Sequence, residues 1–201
     1  MALFDNKSGS VFKFSDTLKY VDDYKIEEVE NSKGRKRRVA RYIGPWVVIT
    51  TEKKAALTRM IIAAVLGVIA AVCHIWTLMM GSHFGSDNYL IMGPRILALF
   101  PVFYLLMGII ELPYRMKPMH RDKEAHSFIR MSRSGVAVMI MTGLSLITGL
   151  IYRIIESFMI FIGIDWMYIA LSVITIVCLF VMLRLIYNID REEKPNSYYS
   201  E

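Results

Sequence analysis

Four apolar stretches, each long enough to cross a bilayer as a helix, constrain this chain more than any other feature. A hydrocarbon core of about 30 Å needs about 20 helical residues, and each stretch supplies roughly that number. The pattern predicts an all-α membrane protein whose four transmembrane helices form two antiparallel hairpins. The predicted spans cover about residues 59–80, 89–112, 134–153 and 166–187.

The cations of the chain lie to one side of these spans. Of the 24 Lys and Arg, 13 lie at or before Arg59, six lie between Pro113 and Arg133, and three lie from Arg184 onward. Lys and Arg collect on the cytoplasmic side of spanning helices. We therefore expect the central basic loop and both termini to be cytoplasmic, in an integral protein of a bacterial cytoplasmic membrane.

This distribution also bears on partners. It accounts for the net charge of +6 without a nucleic-acid partner, because the positive side chains mark orientation. The expected partners are the lipid bilayer, another membrane protein or a second copy of the chain, and anionic lipid headgroups at the basic arm and the central loop.

The first 54 residues are predicted to form a cytoplasmic arm with a small β-hairpin. Two β-compatible runs flank the turn-forming tetrad Asn31–Gly34. Folding the chain there places Ile26 opposite Val39 and Glu28 opposite Arg37. Opposite charges across an antiparallel pair favour this pairing. The segment that begins at Pro45 and Trp46 is either a third strand or a segment in the membrane interface.

Residues 55–187 are predicted to form the transmembrane domain. Its second span contains Pro94 and Pro101, and since proline removes a backbone hydrogen bond, we expect a bend near Phe100–Pro101. Residues 188–201 carry too little apolar surface to order themselves, so a disordered cytoplasmic tail is expected.

A stripe of small residues follows one face of the first span. Ala63, Gly67 and Ala71 stand four apart, and small residues at this spacing let helix backbones approach closely. The stripe predicts a helix-packing interface. The spacing leaves open whether that interface lies within the chain or with a partner protein or a second copy.

A set of polar residues lies near the outer end of the spans. On span three, Ser145, Gly149, Arg153 and Glu156 share one face, and on span four Asp165, Tyr168, Ser172 and Thr175 do the same. The candidate polar site comprises His74, Arg95, Arg153, Glu156, Asp165 and Tyr168.

Two interpretations of this set remain open. A charge within a span is costly and often functional, which favours an outward-facing site for a ligand or for protons. Arg95 and Arg153 nevertheless lie within about two turns of the membrane edge, where long side chains reach the headgroups. Structural ion pairs and cations that extend to the headgroups would then explain the whole set.

The remaining motifs favour a non-catalytic role. The sequence His120-x-Asp122-x-Glu124-x-His126 resembles a metal-ligand run, but six cations surround it and its helical pairs point apart, so we expect no metal and no cofactor. No phosphate-binding loop or metalloprotease motif is present in the sequence. The leading hypothesis is an accessory or regulatory subunit of a membrane complex. The alternative is a small-solute transporter or channel subunit.

Overall fold

The computed structural model of the chain describes residues 22–30, 36–80, 88–156 and 163–195, and within them the protein is mostly helical with small sheets. A five-residue π-helix, Ala125–Ile129, joins the short helix Arg121–Glu124 to the long helix Arg130–Glu156. The elements in chain order are β1 (Tyr24–Glu30), β2 (Lys36–Tyr42), β3 (Trp46–Ile49), α1 (Lys53–Met79), α2 (Tyr89–Leu97), α3 (Leu99–Ile110), β4 (Met119–His120), α4 (Arg121–Glu124), α5 (Arg130–Glu156), α6 (Gly163–Tyr187) and β5 (Arg191–Lys194).

In the described part of the chain four helical segments are long and apolar enough to cross a membrane, which is the predicted number. They are Lys53–Met79, Tyr89–Ile110, Arg121–Tyr152 and Asp165–Tyr187. The third begins at Arg121, so the second half of the predicted basic loop is helical. Phe128 and Met131 explain this difference, because they stand three apart and bury almost all of their surface as one helix face does.

The second span is interrupted at Ala98, between α2 and α3. We expected the bend near Phe100–Pro101, and the observed break lies slightly earlier. Pro101 has no N–H for the carbonyl of Leu97, and its ring crowds that carbonyl. The distortion from a proline therefore falls on the turn before it.

The small residues of the α1 stripe face the interior of the chain. The most extensive helix contact is between α1 and α6, and α5 packs against α2, α3 and α6. Ala63, Gly67 and Ala71 are all buried. A Cβ atom added to Gly67 would lie 2.7 Å from Cδ1 of Ile109 and 3.2 Å from Sδ of Met182. The stripe thus serves packing against α3 and α6 of the same chain.

Strands β1 and β2 pair as an antiparallel two-stranded sheet, as predicted, but in a register shifted by one residue. Ile26 lies opposite Ala40 rather than Val39, and Glu28 lies opposite Arg38 rather than Arg37. The predicted turn at residues 31–34 lies outside the described residues. Register is weakly specified when both faces of a strand pair are polar, because neither face must be buried.

A second sheet joins three distant parts of the chain in the order β4-β3-β5, which establishes Trp46–Ile49 as a strand. In this sheet β3 pairs antiparallel with β4 and with β5. We expected residues 188–201 to be disordered, yet Arg191–Lys194 form an edge of this sheet. Residues 191–194 are ordered by contacts with distant parts of the chain, which the composition of the tail does not reveal.

These contacts are ion pairs to the start of the third span. The guanidinium of Arg121 donates two hydrogen bonds of 2.8 Å to the carboxylate of Glu193. Nη1 of Arg191 lies 2.9 Å from Oε1 of Glu124, and the Arg191 guanidinium lies 4.7 Å from the centroid of the Phe128 ring. Backbone pairing and these charges together order the beginning of the tail.

Candidate functional site

Buried polar side chains from all four spans meet near the end of the bundle that is opposite the three-stranded sheet, here called the distal end. All of them are fully buried. Arg95 is the seventh residue of α2, which places it about 9 Å along that helix at 1.5 Å per residue. This distal polar centre consists of His74 on α1, Arg95 on α2, Thr142 and Ser145 on α5, and Tyr168 and Ser172 on α6.

Arg95 is the charged residue at its middle. Nη2 of Arg95 donates a hydrogen bond of 3.0 Å to Oγ of Ser172, and the guanidinium carbon lies 4.3 Å from the centroid of the Tyr168 ring. Nε and Nη1 have no hydrogen-bond partner among the residues that the structure describes. These two nitrogens carry three of the five N–H donors of a guanidinium. The side chain therefore turns into the bundle and does not extend to the headgroups.

The interrupted helix α2 is bound to its neighbours through its backbone. Oγ of Ser145 donates a 2.7 Å hydrogen bond to the carbonyl of Ile91. Nε2 of His74 lies 3.2 Å from the carbonyl oxygen of Arg95. Side chains of neighbouring helices can satisfy backbone carbonyls where proline disturbs a membrane helix. These bonds fix the height and rotation of α2, and hence the direction in which Arg95 points.

The hydrogen bonds around His74 define its tautomer. The Arg95 carbonyl can only accept, so Nε2 must carry the hydrogen. Nδ1 then accepts, and the hydroxyl of Thr142 lies 3.3 Å from it. A neutral imidazole with one donor and one acceptor nitrogen satisfies both contacts.

Hydroxyl groups complete the polar centre. Oγ of Ser145 lies 3.0 Å from the phenol oxygen of Tyr168. Oγ of Ser172 accepts from Arg95 and donates a 2.7 Å hydrogen bond to the carbonyl of Tyr168. Because Ser145 gives its single hydrogen to the carbonyl of Ile91, the Tyr168 hydroxyl is the donor in its contact with Ser145.

The sequence-predicted site residues have different positions in the structure. His74, Arg95 and Tyr168 are brought together. Asp165 is 2% exposed and lies one turn before Tyr168 on α6. Arg153 and Glu156 belong to α5, but their side chains lie outside the described part of the structure.

Sequence reasoning left three residues out of the site. Ser145 and Ser172 were placed on the correct helix faces but were not assigned to the site, and Thr142 was missed. The available signal for Thr142 was its position three residues before Ser145, which puts both on one face of α5.

A second cluster, the sheet-end aromatic cluster, connects the arm to the membrane domain. The rings of Tyr42 and His120 stack with centroids 4.0 Å apart, and Trp46 meets His120 edge to face at 4.5 Å. Oη of Tyr24 donates a 2.9 Å hydrogen bond to Oδ2 of Asp122. In the 120–126 run His120 and Asp122 both contact Oη of Tyr24, whereas Glu124 contacts Arg191 and His126 contacts Arg130. Among the described residues no group of three or more such side chains could hold a metal ion.

The protonation of this cluster is shifted by its surroundings. Burial, and then the hydrogen bond to Asp122, raise the pKa of Tyr24 to about 12. Burial lowers the pKa of His120 below its ordinary value of 6.5, although the nearby carboxylate of Asp122 opposes that shift. His120 is therefore neutral at pH 7, which suits its stacking against Tyr42.

The length and apolar composition of the four spans indicate an integral membrane protein, with a buried polar centre between its helices. Comparison of the chain with protein-family models, with curated protein sequences and with solved structures found no match.

Proposed function

We propose that this protein binds a small anionic solute at the distal polar centre and acts as a transporter or channel component. One observation carries the proposal. Arg95 is completely buried, and three of its N–H donors have no acceptor among the described residues. Such a cation is suited to form hydrogen bonds with an anion.

Burial of the Arg95 guanidinium has an energetic cost. A charge within a bilayer span is expensive, and an uncompensated buried charge is strongly destabilising. An anion beside the guanidinium would offset that cost, because hydrogen bonds between two charged partners are the strong ones. Among the described residues no carboxylate pairs with Arg95 in this way.

The chemistry of the centre suggests the class of solute. A planar guanidinium matches the geometry of a carboxylate or another small oxyanion better than an ammonium group does. The hydroxyls of Ser145 and Ser172 already donate their hydrogens to the carbonyls of Ile91 and Tyr168, so the guanidinium of Arg95 supplies the donors for a bound anion. We infer a small carboxylate or oxyanion as the solute.

The orientation belongs to the same proposal. The sheet end holds the basic arm, the cationic segment from Pro113 to Arg133 and the start of the tail, which supports a cytoplasmic location for that end. Both termini are then cytoplasmic and the distal polar centre faces outward. We propose the bacterial cytoplasmic membrane as the location.

The test measures flux and binding with the purified chain. Proteoliposomes are assayed for uptake of radiolabelled acetate, lactate and inorganic phosphate, and the same anions are titrated while the melting temperature in detergent is followed. We expect a response to at least one anion. Arg95→Gln should abolish it, whereas Arg184→Gln, which removes an exposed cation of α6, should retain it. A response that survives Arg95→Gln contradicts the proposal.

A non-catalytic accessory subunit remains the second proposal. The stripe that helped to motivate it packs inside the chain at Gly67, and the large cytoplasmic share of polar residues is its remaining support. Absence of any anion response, together with detergent-stable co-purification of another membrane protein or a second copy, would favour it.

A further inference from the structure

A cavity of about 930 Å³ lies at the sheet end, between the last turn of α3, the link over residues 111–118 and the first turns of the third span. It is separate from the distal polar centre. Cavities of about 300 to 1,000 Å³ commonly hold small molecules. Four cationic side chains line this one, namely Arg115, Lys117, Lys123 and Arg130.

The link over residues 111–118 forms one wall of this cavity, which is called the interfacial pocket below. The N–H of Tyr114 donates to the carbonyl of Leu112 and the N–H of Met116 to that of Pro113, both at 2.9 Å. Oη of Tyr114 donates a 3.0 Å hydrogen bond to the carbonyl of Ile109. Met116 has a φ of 53°, which a non-glycine residue adopts only where surrounding contacts hold it. The link therefore fixes the positions of Arg115 and Lys117.

The charge of the pocket is strongly positive. Glu111 is the carboxylate in its lining, and Oε1 of Glu111 lies 3.4 Å from Nη1 of Arg130. Within the described ranges, no carboxylate forms an ion pair with Arg115, Lys117 or Lys123. Three cations thus remain for an anionic group.

The pocket also adjoins the apolar surface of the bundle. Met107 lines it and is 51% exposed, and Tyr104 and Ile110 on the same helix are exposed as well. The Arg130 guanidinium lies 5.8 Å from the centroid of the Tyr104 ring. A ligand that fills this site meets cations at one side and a hydrocarbon-facing helix at the other. That combination suits an amphiphile with an anionic head.

We propose that the interfacial pocket binds one anionic phospholipid, with its phosphate between Arg115, Lys117 and Lys123 and its acyl chains along the exposed face of α3. Pockets of basic residues at the cytoplasmic ends of spans hold anionic headgroups through such contacts. This inference does not depend on the distal polar centre, because it uses different residues at the other end of the bundle.

The test compares two double variants in nanodiscs of phosphatidylcholine with added phosphatidylglycerol, followed by native mass spectrometry of the released protein. Arg115→Gln with Lys117→Gln removes two pocket cations. Lys53→Gln with Lys54→Gln removes two exposed cations at the start of α1, which lie at the same end but outside the pocket. All four residues are exposed, so both variants should fold, and equal melting temperatures would verify this.

We expect the unmodified protein to retain one phosphatidylglycerol. The pocket variant should bind it about tenfold to thirtyfold more weakly, as expected for two interfacial cations. The control variant should stay within about twofold. Equal loss in both variants, loss in neither, or no retained lipid in the unmodified protein would overturn the proposal. Displacement of the lipid by millimolar inorganic phosphate would overturn it in favour of a free-anion site.

Discussion

The guanidinium carbon of Arg95 lies 4.3 Å from the centroid of the Tyr168 ring, and both residues are completely buried. The aromatic face stabilises a cation by about 2 kcal/mol or more when it is desolvated. This contact and the bond to Ser172 do not replace the hydration of a full guanidinium. The chain thus holds a destabilising charge in its interior, and that state has a measurable consequence.

Replacement of Arg95 by an apolar residue of similar length should stabilise the protein. We expect Arg95→Met to raise the free energy of unfolding by about 1 to 4 kcal/mol, as when buried charges yield to apolar packing. The measurement is denaturant unfolding in detergent. Arg184→Met, at an exposed position, should change stability by less than about 0.5 kcal/mol. Lower stability of Arg95→Met would show that the cation supports the fold.

The close contact at Gly67 predicts an effect of side-chain volume. Gly67→Leu should lower the free energy of unfolding by about 1 to 3 kcal/mol, because its side chain must displace Ile109 and Met182. Gly143→Leu is the matched control, since a Cβ there meets no atom within 4 Å. Thermal unfolding in detergent compares the two. Equal losses would contradict the assigned contact with α3 and α6, because helix propensity alone favours Leu over Gly at both positions.

The sheet-end aromatic cluster should loosen in acid. The pKa of His120 in the folded protein is below 6.5, so the unfolded chain binds a proton at His120 more readily than the folded chain does. Stability from this group is therefore present above about pH 6.5 and is lost as the pH falls through the lower folded value. The facing groups are Asp122 and Lys123, with Tyr24 and Tyr42 neutral in this range.

Fluorescence of Trp46 can follow that transition, in a background where Trp76 and Trp166 are replaced by Phe. We expect a change in emission with a midpoint below pH 6.5. His120→Phe should remove it, while Tyr24→Phe, which keeps the imidazole, should leave it in place. A transition that persists without His120 would assign the pH dependence to another group.

The proposed orientation predicts a pattern of chemical labelling. In a chain with Cys73 and Cys178 replaced by Ser, a cysteine at Ser86 should react with an impermeant thiol reagent in intact cells. A cysteine at Lys123 should react only after the membrane is opened, since we place the sheet end in the cytoplasm. The opposite pattern would invert the orientation.

The number of spans could be predicted from hydropathy, because a run of about 20 apolar residues is typical of a transmembrane helix. The direction in which the Arg95 side chain points could not be predicted from the sequence. Its distance from the membrane edge allowed the side chain to reach the headgroups, but the packing of α2 against α5 and the contacts of Arg95 with His74 and Ser172 turn it inward. The sequence also could not reveal the acceptor role of the Ile91 and Arg95 carbonyls, which depends on side chains of α5 and α1.

The pairing of the strands was also only partly predictable from the sequence. The β1–β2 pair was predicted because its members are close in sequence, but its register was wrong by one residue. The pairing of β3 with β5 joins residues such as Thr50 and Asp190, which no local pattern connects. Such long-range pairs form because the packing of the helices brings the start of α1 and the end of α6 close together.

The three-stranded sheet gives the two ends of the bundle unequal freedom. Strand β3 precedes α1 and is bonded through its backbone to segments that follow α3 and α6, so separating those helix ends means breaking a ladder of peptide hydrogen bonds. At the distal end the described bonds between helices all involve side chains, which can exchange partners one at a time. Arg95 lies about 9 Å from the start of α2, at the end of the bundle where the helices can separate without breaking that ladder.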